Sequence, residues 1–168
     1  GDRIRVEPEP EPAEEPPPAQ TPLVSPVPVA RRPVNVAISQ VRVRQPPQSE
    51  RQVGVGQADR PFEGVVNRNE PFALEIRFGL VGEAAAELTE VPVVYTARAY
   101  VQDQAGGVDI HLGDTPPETL TKGELAYTAT LPETTLKSGT YRLFALVTLE
   151  AGSVKPDFIM LPDFKVNG

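Results

Sequence analysis

The carboxylates Asp103, Asp109, Asp114 and Glu118 fall within one short stretch that also holds the chain's only histidine, His111. Carboxylates on neighbouring loops can supply the roughly 6–8 oxygen ligands that Ca²⁺ takes. No Asp-x-Asp-x-Asp spacing is present, and acidic residues are frequent in loops because they are solvated and favour turns. The stretch therefore reads first as a solvated hairpin loop, and no metal or cofactor is assigned to it. Glycosidase-type acid/base work needs a cleft as well as paired carboxylates. The chain has no Trp, and its aromatic residues fall mostly in core phase. His111 sits between Ile110 and Leu112 on the outward side of a hairpin strand, so it would have to serve any Ser-His arrangement alone. Nucleophilic catalysis by cysteine is excluded because the chain has none.

Lys137-Ser138-Gly139 superficially resembles the Lys-Thr-Gly of serine penicillin-recognising enzymes. Those enzymes also need a Ser-x-x-Lys nucleophile, and none of Ser25, Ser39, Ser49, Ser138 or Ser153 has Lys three residues on. Gly54-Val55-Gly56 lacks the third glycine and the following helix of a phosphate-binding loop, and reads as a flexible connecting strand. The proline-rich stretch reads as a plain spacer and not as an SH3-type ligand. The residues thus point away from an enzyme, and the elements that carry them become the informative level.

From Val34 onward the period of the apolar residues is two, with no helical periodicity longer than Glu83 to Leu88. Phe72, Leu74, Ile76, Phe78 and Leu80 form one face of a strand, leaving Ala73, Glu75, Arg77 and Gly79 on a wet face. Asn67 to Glu70 reads as the turn pairing that strand with Phe62 to Val66. Val93 to Gln102 is the next strand, followed by an Asp103 to Gly107 hairpin loop and a partner whose inward positions are Val108, Ile110 and Leu112. Glu124 to Leu131 follows the Thr115-Pro116-Pro117 loop, with Leu125, Tyr127, Ala129 and Leu131 in phase. The last strand lies within Asp157 to Asn167, and Pro162 marks an edge position or a bulge in it. At the start, Val34, Val36 and Ile38 are in one phase and Val41 and Val43 in the other, which predicts a bulge near Ser39-Gln40.

Leu136-Lys137-Ser138-Gly139-Thr140-Tyr141 opens the alternating run Arg142 to Leu149 and reads as a tyrosine corner. Here a Gly-containing loop feeds a central strand, and a Tyr hydroxyl returns to nearby backbone. On the Leu-x-x-Gly-x-Tyr pattern at Leu136, Gly139 and Tyr141, residues 34–167 resemble the immunoglobulin/fibronectin type III-like superfamily. The chain departs from antibody-type domains in lacking their two cysteines and core tryptophan. The resemblance implies an all-β, immunoglobulin-like antiparallel β-sandwich of about seven to nine strands, of the kind found as accessory domains in bacterial proteins.

Ahead of that domain, residues 1–33 hold ten of the 20 prolines and the run Glu7, Glu9, Glu11, Glu14 and Glu15. Proline fixes φ, removes a donor and pushes the preceding residue to extended conformations, so a disordered linker with polyproline II character is expected. At about 3.1 Å per residue, positions 7–33 would reach roughly 80 Å when fully extended. The segment resembles Pro/Glu-rich spacers that hold a bacterial domain off a membrane or a neighbouring domain. An extracytoplasmic or membrane-tethered location is therefore expected over a cytoplasmic one.

The formal charge of −7 repels phosphate backbones and anionic lipid surfaces, which argues against nucleic acid as a partner and against direct membrane insertion by this segment. The hint of function is on the outward side of the corner strand, where Phe144 and Leu146 occupy positions that solvent normally claims. Tyr100 on the preceding long strand and Ile159 or Leu161 on the last strand are expected beside them as an apolar patch facing a protein partner. The alternative covers that patch with the first strand or the Glu83 to Leu88 segment. The expected role is a non-catalytic protein-protein interaction or spacer module of a larger bacterial protein. The second reading is a carbohydrate- or calcium-dependent surface-binding module using the loops around 103–118.

Overall fold

The computed structural model describes residues 34–168; the proline-rich stretch over 1–33, with the disorder expected of it, lies outside the described residues. The strands are β1 (Val34–Arg44), β2 (Gln52–Gly56), β3 (Glu63–Val66), β4 (Ala73–Val81), β5 (Val94–Asp103) and β6 (Asp109–Asp114). They continue with β7 (Glu118–Thr119), β8 (Ala126–Thr130), β9 (Gly139–Leu149), β10 (Val154–Lys155) and β11 (Asp157–Val166). One four-residue helix, α1 (Ala85–Leu88), falls where the helical period was read. The described chain is all-β, and two of its eleven strands, β7 and β10, are two-residue ladders.

Two antiparallel layers pack face to face. In the first, β8, β4, β1 and β2 lie side by side, with β10 against β1. In the second the order is β6, β5, β9, β11, with β7 beside β5. The short β3 joins the two by pairing antiparallel with β2 and parallel with β11. Alternation along each strand sends Val36, Ile38, Val41, Leu74, Ile76 and Phe78 inward from one layer and Ala97, Val101, Leu143, Val147 and Leu161 inward from the other. Burial of that apolar surface, at roughly 25 cal/mol per Å², is the dominant favourable contribution in a chain without disulfides.

The register of β1 against β4 shifts between Ile38 and Gln40, at the bulge expected near Ser39-Gln40, so Val36 and Ile38 as well as Val41 and Val43 are buried. The amide of Ile38 donates to Asp157 Oδ2 of the opposite layer at 2.7 Å. A second irregularity lies between Leu161 and Phe164, around Pro162, as a bulge in β11.

Several expectations are corrected. The Asn67 to Glu70 turn does not form a hairpin, because β4 takes β1 and β8 as neighbours while β3 takes β2 and β11. Gln45 determines the path of that connection. It is buried, its Nε2 donates to the carbonyls of Asn67 and Glu70, and its Oε1 accepts from the Asn67 amide. The glycines of β2 are there for close approach: Phe62 occupies the place of a Gly54 side chain, and Gly64, at φ +126°, crosses against the Val53 carbonyl. On β6 only Leu112 points into the core, while Val108 and Ile110 are exposed. A register shift between Ala99 and Tyr100 rotates the edge strand, and among the described residues β6 borders only β5. The wet face of β4 is also less wet than read: Glu75 is buried, as is Ala73. Leu125, read as in phase on β8, is exposed because it precedes the strand.

Candidate binding face

The corner positions the strand that matters. Tyr141 is 3% exposed and its hydroxyl donates to the Lys137 carbonyl at 2.8 Å, closing the loop that Lys137, Ser138 and Gly139 form. Leu136 is buried beneath it, and a side chain on Gly139 would lie 3.4 Å from the Tyr141 ring. Burial, and secondarily the Asp103 carboxylate, pushes the Tyr141 phenol up from its ordinary value. Lys137-Ser138-Gly139 is thus the delivery loop of a structural device.

With Tyr141 inward, alternation turns Phe144 and Leu146 to the outer side of the β5-β9-β11 layer. Tyr100 stands directly opposite Phe144 on β5, and the two rings are 6.3 Å apart. On β11 the residue opposite Phe144 is Met160 and the residue opposite Leu146 is Phe158. Phe144 and Phe158 stack at 5.7 Å with an interplanar angle of 23°. Phe158 is 52% exposed and Met160 42%, so no element among the described residues covers this face. The structure therefore brings together Tyr100, Phe144 and Leu146 but not Ile159 and Leu161. Those two stand opposite Ala145 and Leu143 and are buried with them, because directly opposed residues share a face. The run Phe158-Ile159-Met160-Leu161 is apolar throughout and carries no alternation from which to read its phase. Pairing with Phe144 and Leu146 is the signal that places Phe158 and Met160 outward.

Polar groups border the apolar strip. The Tyr100 ring lies 6.1 Å from His111, whose Nε2 is 3.0 Å from Asp114 Oδ1. Arg98 Nε is 3.5 Å from the same oxygen, and Arg142 Nη1 donates to Gln102 Oε1 at 3.4 Å. The strip is apolar at its centre and polar at its edge, the usual anatomy of a recognition surface.

The other acidic candidates are spread along β6 and its flanking loops. Asp103 Oδ1 accepts from the amides of Ala105 and Gly106, and Asp114 faces Arg98 and His111. Among the described residues no three His, Cys, Asp or Glu side chains gather closely enough to hold a metal ion. On the opposite layer Glu75 receives Arg42 at Oε1 and Arg44 at Oε2, each at 2.6 Å. This buried carboxylate cross-links β1 to β4 through one Nη2 of each arginine.

No helix among the described residues is long and apolar enough to cross a membrane. Comparison of the chain with protein-family models and with curated proteins finds no match in either.

Proposed function

We propose that this chain is a non-catalytic interaction module that binds a protein partner through the outer face of β5, β9 and β11. The observation that carries this reading is the stacked pair Phe144 and Phe158 beside the half-exposed Met160, an apolar cluster on the side of the sheet away from the core. Isolated apolar residues on a surface need no explanation, but a contiguous cluster rimmed by polar groups is the mark of a partner site. Five side chains, Tyr100, Phe144, Leu146, Phe158 and Met160, make up the contact. In this reading the fold belongs with the immunoglobulin/fibronectin type III-like sandwiches, supported by the corner hydrogen bond and by the first strand's bulge. The acidic proline-rich stretch is the stalk that holds the module at a distance from the rest of a bacterial protein, raising its effective concentration near a target.

The test begins with the partner recovered on the wild-type chain and purified. Titration of that partner against Phe144→Ser should show an affinity loss of about tenfold or more, since aromatic anchors dominate such interfaces. The melting midpoint of the variant should stay close to that of the wild type. An unchanged affinity, or a collapse of the midpoint, would overturn the reading.

A further inference from the structure

The second site lies on the other layer, at the free edge of β8. The amide of Leu131 donates to the Leu74 carbonyl, and the amide of Leu80 donates to the Leu125 carbonyl. In an antiparallel pair hydrogen-bonded and non-hydrogen-bonded residues alternate. Leu125, Tyr127, Ala129 and Leu131 therefore direct their backbone groups to β4, and Ala126, Thr128 and Thr130 direct theirs away from it. Among the described residues β8 has no strand on that side, since its only neighbour is β4. Three amides and three carbonyls in extended conformation are complementary to one kind of ligand, another extended strand.

Alongside this edge runs a cleft of about 330 Å³ lined by Tyr95, Thr115, Pro116, Glu118 and β8 residues 128–130. Tyr95 is only 8% exposed and lines this cleft. Its ring is held between Phe78 at 5.2 Å and Tyr127 at 5.6 Å, so the side chain has a defined place. Burial pushes the Tyr95 phenol up, and the Glu118 carboxylate, followed by Tyr127 and Glu124, adds to the effect. The lining residues include one carboxylate and no cation.

We propose that the β8 edge binds an extended peptide segment as an added strand, with one Lys or Arg side chain of that segment entering the cleft. A strand added beside β8 alternates its side chains between the two sides of the layer. The residue abreast of Ala129, whose side chain is buried, projects to the same side and reaches the cleft. There its cation donates to the Tyr95 hydroxyl oxygen and faces the Glu118 carboxylate, while main-chain hydrogen bonds to Thr128 and Thr130 provide affinity. The exposed Thr128 and Thr130 side chains lie on the outer side and do not obstruct the added strand.

The probe is the synthetic peptide Thr-Val-Thr-Lys-Thr-Val-Thr, compared with versions carrying norleucine or glutamate in place of lysine. Amide exchange of the whole chain, followed by NMR, should show new protection at Thr128 and Thr130 when the lysine peptide is added. The glutamate peptide should bind at least about tenfold more weakly. Thr128→Pro removes an outward amide without touching the ladder to β4, and should abolish the protection while retaining the wild-type circular dichroism spectrum. Glu118→Gln should weaken the lysine peptide several-fold and leave the norleucine peptide unchanged. The proposal is overturned by absence of binding at millimolar peptide, by equal binding of the lysine and glutamate peptides, or by protection confined to other strands. Protection at Thr128 and Thr130 that rises with protein concentration alone would assign the edge to a second copy of the chain and also overturn it.

Discussion

Tyr141 ties loop, strand and core together through one hydrogen bond to the Lys137 carbonyl. Tyr141→Phe keeps the ring and leaves that carbonyl without its donor, so it should cost about 1–2 kcal/mol in a urea or thermal melt. The same residue has a pH signature. Burial raises the phenols of Tyr95, Tyr127 and Tyr141 in the folded chain, so the unfolded chain loses those protons first. Their contribution is complete below the ordinary phenol value of about 10 and is lost as pH rises from there through the raised values. The melting midpoint should therefore fall above about pH 10, and fall less steeply in Tyr141→Phe; an identical slope in both would remove Tyr141 from the account. The corner was legible from Leu136, Gly139 and Tyr141 because its pattern is local. The burial of Glu75 was not, since a glutamate on the polar side of an alternating strand looks solvated until the register sets Arg42 and Arg44 beside it.

Strand β11 shows why some faces can be read in a sequence and others cannot. Phe72 to Leu80 alternates, so its phase is written in its residues, and its inward set is buried throughout. Phe158 to Leu161 does not alternate, and its phase follows from the partner strand β9. The pairing has a measurable consequence. Leu161→Ala should destabilise the domain by about 2–5 kcal/mol, as truncation of a fully buried leucine does. Met160→Ala, one residue away, should cost less than about 1 kcal/mol. Chemical denaturation of both variants decides it, and a larger loss in Met160→Ala than in Leu161→Ala would mean that the strand is set in the other phase. The misplaced hairpin has a related cause. An Asn-rich turn signals a change of direction, but whether the next strand pairs with the last one depends on distant neighbours, here β1 and Gln45.

For the molecule as a whole, the proposed role is recognition of a protein partner, and the observation behind it is the apolar cluster on the outer face of β5, β9 and β11. The described residues form two layers whose inner faces are fully used, which leaves outer faces and free edges as the surfaces available to partners. One such surface is apolar and holds the stacked Phe144 and Phe158, while the outer side of β4 bears the exposed Arg77 and the ion-paired Glu75. The two sides can be compared within one experiment. A photoreactive benzophenone amino acid placed at position 158, and in a separate chain at position 77, reports what touches each face in cells expressing the full-length protein. The account predicts a discrete cross-linked adduct with one protein from position 158 and none from position 77. Adducts of equal yield from both positions, or no adduct from position 158, would contradict it.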